Sequence, residues 1–521
     1  MPPHNIMTST QNGLGASLRS PAFTLFAGQP QGLPLLFFTE LWERFSYYGM
    51  RALLVLYLTK YLHFSDANAY ALYGTYTALV YIGPVIGGFL ADRILGPRRA
   101  AGFGGILIAL GHFTLAVTNM GLGAWAIGEP GGMIYFYLAL ALIITGEAFF
   151  KVNISTLVGR LYEPGDKRRD AGFTLFYMGI NLGALAATVL CGWLGESVGW
   201  DLGFGLAGIG MLIGLAVFFR GIRRLGPIGE APDPARLNRP LIGSLRTETA
   251  IYLGGIVVLA LALVLVQMPD VVGALLAISG VAGAIGLLAY ALLAQPPEGR
   301  DRLLVVLVLA IFTVVFWALF EQAGASLTLF ADRHVDRHMF GIAVDASQLQ
   351  FLNPLFILLL APFFSRFWLR LERNGQAVTT PAKFALGLAL LGGGFAVLVV
   401  GSAYFGKTGV PLVWLVLLYL LHTAGELCLS PIGLSMVTKL SPPRSVGVVM
   451  GFWFFATAAG QYLAGQFSRF AAPASGGGAD PIQSLHGFVN LFGILALIAF
   501  FAALLLFGAS KPLADRMHGA D

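Results

Sequence analysis

An apolar run between residues 33 and 62 carries Glu40, Glu43, Arg44 and Arg51, charges that such a run would be expected to lack. At about 100° per residue, Glu40, Arg44, Tyr47 and Arg51 fall on one stripe of a helix, with Glu43 and Tyr48 at its margins. In lipid each charge costs at least ~2.5 kcal/mol on insertion scales unless it faces a bundle interior or a wet cavity. Carboxylates and guanidiniums there can capture charged solutes and exchange protons. The competing reading is that Glu and Arg four residues apart neutralise each other and hold helices together.

Charged residues recur inside other apolar runs. Glu147 and Lys151 lie one helical turn apart in the run 133–161, and Glu321 and Glu426 interrupt runs near 303–331 and 411–439. Thr145-Gly146-Glu147 can be laid over Ala424-Gly425-Glu426, and Leu41-Trp42-Glu43 over Leu319-Phe320-Glu321. These short matches place carboxylates at comparable points of two parallel repeats, whose interface is where such proteins hold substrate.

Composition sets the class. The chain has 521 residues, 57% hydrophobic and 11% charged, with a mean hydropathy of +0.77; soluble domains are about 25% charged. Many runs exceed the roughly 20 residues that cross a bilayer as a helix. A net charge of +6 would suit nucleic acid, but the Lys and Arg sit in short connections, where they report topology. Cys191 and Cys428 lie inside apolar runs and read as packing residues.

In chain order the expected spans are 33–62, 69–94, 100–118, 133–161, 171–195 and 202–220, then an apolar pair at 249–268 and 271–294. Six more follow at 303–331, 347–369, 380–404, 411–439, 444–470 and 486–509. Residues 1–32 read as a cytoplasmic tail, 33–224 as an N-terminal six-helix bundle, and 225–301 as a linker with an inserted peripheral hairpin. Residues 302–510 read as a C-terminal six-helix bundle, and 511–521 as a second cytoplasmic tail. With the basic connections inside, fourteen spans leave both termini cytoplasmic. The first 30 residues contain no signal-peptide pattern, so the first span is expected to direct insertion.

Several motifs together resemble the proton-dependent oligopeptide transporter (POT/PTR2) family of the major facilitator superfamily. They are Glu40-x-x-Glu43-Arg44-Phe45-x-Tyr47-Tyr48-Gly49, Phe149-Phe150-Lys151-Val152-Asn153, Phe176-Tyr177-x-x-Ile180-Asn181-x-Gly183 and Phe316-Trp317-x-x-x-Glu321-Gln322. The ending Gly87-Gly88-Phe89-Leu90-Ala91-Asp92-Arg93 to Arg99 resembles the superfamily's loop between its second and third helices. The resemblance implies an all-α polytopic membrane protein with a major facilitator fold: two six-helix bundles plus two inserted helices, 14 transmembrane helices in all. It also implies import of di- and tripeptides by proton-coupled symport and alternating access, with no cofactor beyond the proton.

By the same resemblance, Arg44, Tyr48, Tyr81, Lys151 and Asn181 would line the N-terminal side of a peptide cavity, and Asn353, Glu426 and Trp453 the C-terminal side. Glu40 and Glu43 would join Arg44 and Lys151 in proton coupling, and Arg51 would bridge the halves to Glu321. Animal members carry a histidine directly after a tyrosine of the second helix; here Tyr73 is followed by Gly74. Only a short connection, about Tyr404 to Val410, stands where those members have a large external domain. Both departures imply a bacterial-type member in the cytoplasmic (inner) membrane, read here as a monomer in lipid, with no nucleic-acid partner.

These residue types suit a peptide zwitterion. Glu426 suits an ammonium, while Arg44 as a fork and Lys151 as a point charge suit a carboxylate. Asn181 and Asn353 can donate and accept to peptide amides, and Tyr48, Tyr81 and Trp453 supply apolar walls with polar tips. Other readings stay open: Lys151 neutralising Glu147 on its own helix face, Asn181 as helix glue, Glu426 capping an internal contact, and Tyr81 and Trp453 as packing. Asp92 and Arg93 read as gating or stabilising the cytoplasmic side, and His112 and His422 as packing or helix contacts. A proton-coupled drug exporter, or a transporter of another small substrate on the same fold, is the alternative function. No His-Glu-x-x-His, Gly-x-Ser-x-Gly or paired Gly/Asp protease motif is present, so the chain is not read as an enzyme.

Overall fold

The computed structural model describes residues 25–119, 133–163, 165–339, 341–406, 408–472 and 480–520. Most of the expected N-terminal tail and the connection after the third span therefore lie outside the described residues. Among the described residues there are fourteen long helices. They are α1 Gly32–Leu56, α2 Asp66–Leu90, α3 Pro97–Asn119, α4 Met133–Gly159, α5 Arg169–Trp193, α6 Trp200–Gly221 and α7 Thr247–Leu265. The others are α8 Pro269–Ala294, α9 Pro297–Phe320, α10 Leu352–Arg373, α11 Thr380–Phe405, α12 Leu412–Leu440, α13 Val446–Ser468 and α14 Pro481–Asp515.

Thirteen of these segments are long and apolar enough to cross a membrane. The exception, α1, is the helix that carries Glu40, Glu43, Arg44 and Arg51. Its charges are not lipid-facing: all four are buried, which satisfies the condition for holding such groups at membrane depth. With α1 the expected fourteen spans are accounted for. Among the described residues strand is confined to three two-stranded pairings of two or three residues in the connections.

Sequence patterning explains the helix ends. Ser65 caps α2, its side chain accepting from the Asn68 N–H at 3.3 Å. The α2–α3 turn passes through Gly96 at φ +82°, where a Cβ would also stand 2.6 Å from the Ala231 nitrogen. There Asp92 pairs with Arg160 at 2.9 Å, and Arg98 donates to the Gly226 and Ile228 carbonyls.

α1 packs along α5 and α6, α3 along α4 and α6, and α2 along α4. In the later part α9 packs on α13, α11 on α12 and α14, and α10 on α12. The two sets meet along α2 against α13 and α5 against α10. Glycine makes the first meeting possible: a Cβ on Gly74 would lie 2.9 Å from the Tyr462 carbonyl, and one on Gly465 would collide with that of Tyr70.

The expected peripheral hairpin is arranged differently from a pair of helices packed on each other. α7 and α8 touch little; α7 lies against α4, with Tyr252 5.0 Å from Phe103 of α3, while α8 lies along α9 and α13. Both otherwise face outward. The expected continuous span 303–331 is also broken: after α9 a tight turn at Glu321–Gly324 precedes a short helix, Ser326–His334. A Cβ on Gly324 would strike the Tyr73 hydroxyl, so the break and its glycine fit around α2.

Candidate functional site

The break in the α9 segment and the charged stripe of α1 face a common cavity of about 290 Å³. Glu40, Arg44, Tyr48, Arg51, Tyr81, Lys151 and Asn181 line it from α1, α2, α4 and α5; Glu321, Asn353, Glu426 and Trp453 line it from the later helices. Glu43 is the one expected residue that does not reach the cavity wall; it stands behind Arg44 and is fully buried.

Arg44 is held by three carboxylates. Its Nε lies 3.2 Å from Glu40 Oε1 and donates to Glu43 Oε2 at 2.6 Å. Its Nη2 donates to Glu43 Oε1 at 2.8 Å and to Glu147 Oε2 at 3.3 Å. The alternative reading in which Lys151 neutralises Glu147 on their own helix face finds no ion pair or hydrogen bond between the two side chains. Glu147 reaches across to α1, while the Lys151 ammonium has no hydrogen-bond partner and stands 3.6 Å from the centre of the Tyr81 ring. A buried cation stacked on an aromatic face and short of an acceptor is ready for an anionic ligand.

At the outer end of the stripe, Arg51 pairs with Glu321 and its Nε donates to the Tyr73 hydroxyl at 2.7 Å. Gln461 of α13 donates to the other oxygen, Glu321 Oε1, at 2.8 Å. The far wall is built on Glu426, which accepts from Asn353 Nδ2 at 2.9 Å; the same nitrogen lies 3.1 Å from Thr423 Oγ1. Asn181 donates to the Tyr177 carbonyl of its own helix at 2.9 Å, which leaves its second amide hydrogen and its amide oxygen to offer. Trp453 packs over Gly433, where a Cβ would meet the ring at 2.7 Å.

Beyond Arg51 and Glu321 the bundle is closed by contacts between the two sets of helices. Lys60 reaches Asp332 at 2.6 Å and Glu196 at 3.5 Å, and Arg333 reaches Asp66 at 2.6 Å. Ser197 Oγ donates to Asp345 at 2.7 Å and the Ser347 N–H to Glu196 at 2.7 Å. The cavity extends the other way, past Ser155, Ser430 and Gly433, towards the helix ends that carry Arg160 and Lys439.

The sequence reading assigned no role to Gln461, Tyr73 or Thr423, and their residue types gave little reason to. Glu147 was visible as a charge in an apolar run; its direction was not. Asp92 and Arg93 are absent from the cavity lining, and His422 makes a packing contact, its ring 4.7 Å from Phe395 and Nε2 3.1 Å from the Leu391 carbonyl. Among the described residues no cluster of His, Cys, Asp and Glu could hold a metal.

Residues 99–480 match the PTR2 model, described as the POT family. The chain belongs to the POT family. It is similar to the peptide transporter YePEPT of Yersinia enterocolitica, 39% identical over 86% of this chain and 89% of the relative. It is also similar to the dipeptide and tripeptide permease A of Cronobacter turicensis, 34% identical over 95% and 94%. Among solved structures, a mutant peptide transporter POT in complex with alafosfalin superposes with a TM-score of 0.79 at 36% identity, covering 95% of this chain and 97% of that one. POT membership accounts for the all-α polytopic fold and makes the chain a transporter rather than an enzyme.

Proposed function

We propose that this POT-family chain imports di- and tripeptides together with protons, by alternating access of two six-helix bundles, 33–224 and 302–510, to the cavity between them. The observation that carries the reading is the polarity of that cavity: Arg44 and the unpartnered Lys151 on one wall, Glu426 with Asn353 on the other. A peptide of any sequence has a carboxylate and an ammonium to offer those walls. The names of the relatives, a peptide transporter and a dipeptide and tripeptide permease, support the same substrate class.

Arg44, Tyr48, Tyr81, Lys151 and Asn181 hold the carboxylate end and the backbone, and Asn353, Glu426 and Trp453 the ammonium end. The peptide carboxylate competes with Glu40 and Glu43 for the Arg44 guanidinium, and a glutamate released from its cation takes a proton. Glu321 and Arg51 close the outer side; protonating Glu321 removes one charge of the pair and lets the bundles rock. The described arrangement, sealed by Lys60, Asp66, Asp332 and Arg333 and extending towards the basic ends, fits an inward-facing state.

The protein works as a monomer in the bacterial inner membrane, with the basic ends and both termini cytoplasmic. An inward-negative potential then adds about 2.3 kcal/mol per charge per 100 mV to import. Protein in liposomes, given labelled dialanine and an inward proton gradient, accumulates it until an uncoupler is added. A folded wild type that takes up no dialanine sinks the peptide assignment.

A further inference from the structure

Glu43 and Glu147 are both fully buried and both bonded to Arg44, one from α1 and one from α4. They converge on one nitrogen: Arg44 Nη2 donates to Glu43 Oε1 at 2.8 Å and to Glu147 Oε2 at 3.3 Å. Two ionised carboxylates crowded on one donor have only acceptors to turn towards each other, and a proton on one of them replaces that repulsion with attraction. We propose that Glu43 and Glu147 share one proton across the α1–α4 contact, and that this proton is one of those carried in transport. The second half of the statement rests on the proton-coupled reading above; the first does not.

The charge balance gives an independent reason. The cluster holds three carboxylates, Glu40, Glu43 and Glu147, and two cations, Arg44 and Lys151. All ionised, it carries one surplus negative charge, and its two innermost carboxylates, Glu43 and Glu147, are fully buried, where an uncompensated charge is strongly unfavourable. One proton makes the cluster neutral, and the place where Glu43 and Glu147 meet at Arg44 Nη2, with Glu147 Oε1 buried and unbonded, is where that proton has carboxylate oxygens from two helices to bind. Two like charges held on the same donor oppose each other's ionisation.

The surroundings supply the rest of the machinery. Glu147 Oε1 has no hydrogen-bond partner, and neither does the buried hydroxyl of Tyr76 on α2. Tyr76 stands within electrostatic reach of Glu43, Glu147, Tyr73 and Arg51, between the α1–α4 cluster and the Arg51–Glu321 closure. The other groups acting on the pair are Glu40 and Arg44 from α1, Lys151 from α4 and Tyr81 from α2. α3 meets this turn of α4 through Gly104 and Ile108, which bear no charge. When a peptide carboxylate draws Arg44 towards the cavity, the pair loses its cation and binds its proton more firmly. When the peptide leaves and Arg44 returns, the O–H bond breaks and the proton departs inward. One O–H bond forms and one breaks per cycle.

The test is infrared spectroscopy of purified, lipid-reconstituted protein at pH 7, paired with the pH profile of dialanine uptake. The wild type is expected to show a protonated-carboxyl C=O band that shifts in D2O and is lost from both Glu147→Gln and Glu43→Gln, because with either residue neutral the cluster balances without the proton. Two variants on different helices guard against one failing to fold. A wild type without the band, a band that survives in both variants, or one lost from only one of them overturns the shared proton. In uptake, the response to acidification flattens in Glu147→Gln; an unchanged pH profile overturns its role in transport. If the wild type takes up no dialanine while the band behaves as described, the shared proton stands and the peptide reading falls.

Discussion

Glu426→Gln isolates the ammonium pole of the cavity. The carboxylate is 8% exposed and has Asn353 Nδ2 at 2.9 Å, and among the described residues it forms no ion pair, so a peptide ammonium would be its counter-charge. Gln keeps the shape and can keep accepting from Asn353. Removing one partner of a buried, hydrogen-bonded charge pair costs 2–5 kcal/mol or more. Because this wall borders an open cavity, the lower part of that range applies, about 2–3 kcal/mol, or roughly 30- to 150-fold in affinity. The assay is competition against labelled dialanine by dialanine and by N-acetyl-dialanine, which lacks the ammonium. Wild type prefers the free peptide by about that factor; Glu426→Gln loses the preference and binds both at the weaker level. A variant that still discriminates between them as strongly as wild type would refute the assignment of the ammonium to Glu426.

Two other outcomes are expected. Gly74→Val places a branched side chain against the Tyr462 carbonyl and Gly465 Cα, 2.9 and 3.0 Å from the added Cβ; overpacking of this kind costs about 1–3 kcal/mol. It lowers the melting temperature in detergent and removes uptake, and wild-type stability in the variant would show that α2 and α13 are not in close contact there. Tyr73→Phe deletes the acceptor 2.7 Å from Arg51 Nε, a charged hydrogen bond worth about 1.5–3 kcal/mol, and loosens the outer closure. A spin-label pair on the 57–66 and 332–350 connections reports a larger separated population; an unchanged distance distribution speaks against Tyr73 as a brace.

The elements that sequence made legible are those where a strong local signal exists. Charges inside apolar runs marked α1, α4, Glu321 and Glu426, because lipid tolerates them only at an interior site. The cavity lining implied by the family resemblance faces one space, and Glu43, expected in proton coupling, stands behind it. What stayed hidden depends on tertiary direction. Lys151 four residues after Glu147 looks like a self-neutralising pair, and only the packing of α4 against α1 turns Glu147 to Arg44. Gln461 resembles any polar residue in an apolar helix until α9 breaks beside it. That break carries no proline, and its lone Gly324 is one of 67 glycines. The apolar pair α7 and α8 shows hydrophobicity all round, which says that lipid surrounds it but not which neighbours each helix chooses.

That choice of neighbours has a mechanical consequence. α7 is fastened to α3 by the Tyr252–Phe103 contact and the Arg99–Glu248 pair at 3.1 Å, whereas α8 is fastened to α13 through Tyr462, whose hydroxyl donates to the Pro269 carbonyl at 3.1 Å. Only Val266, Gln267 and Met268 connect the two helices. If the bundles pivot, these helices are carried apart like the legs of a compass whose hinge is three residues long. The surrounding acyl chains must fill and empty the wedge that opens between them at every turnover. The insertion thus gives the bilayer a lever on the cycle: its fluidity and thickness set part of the work of each stroke.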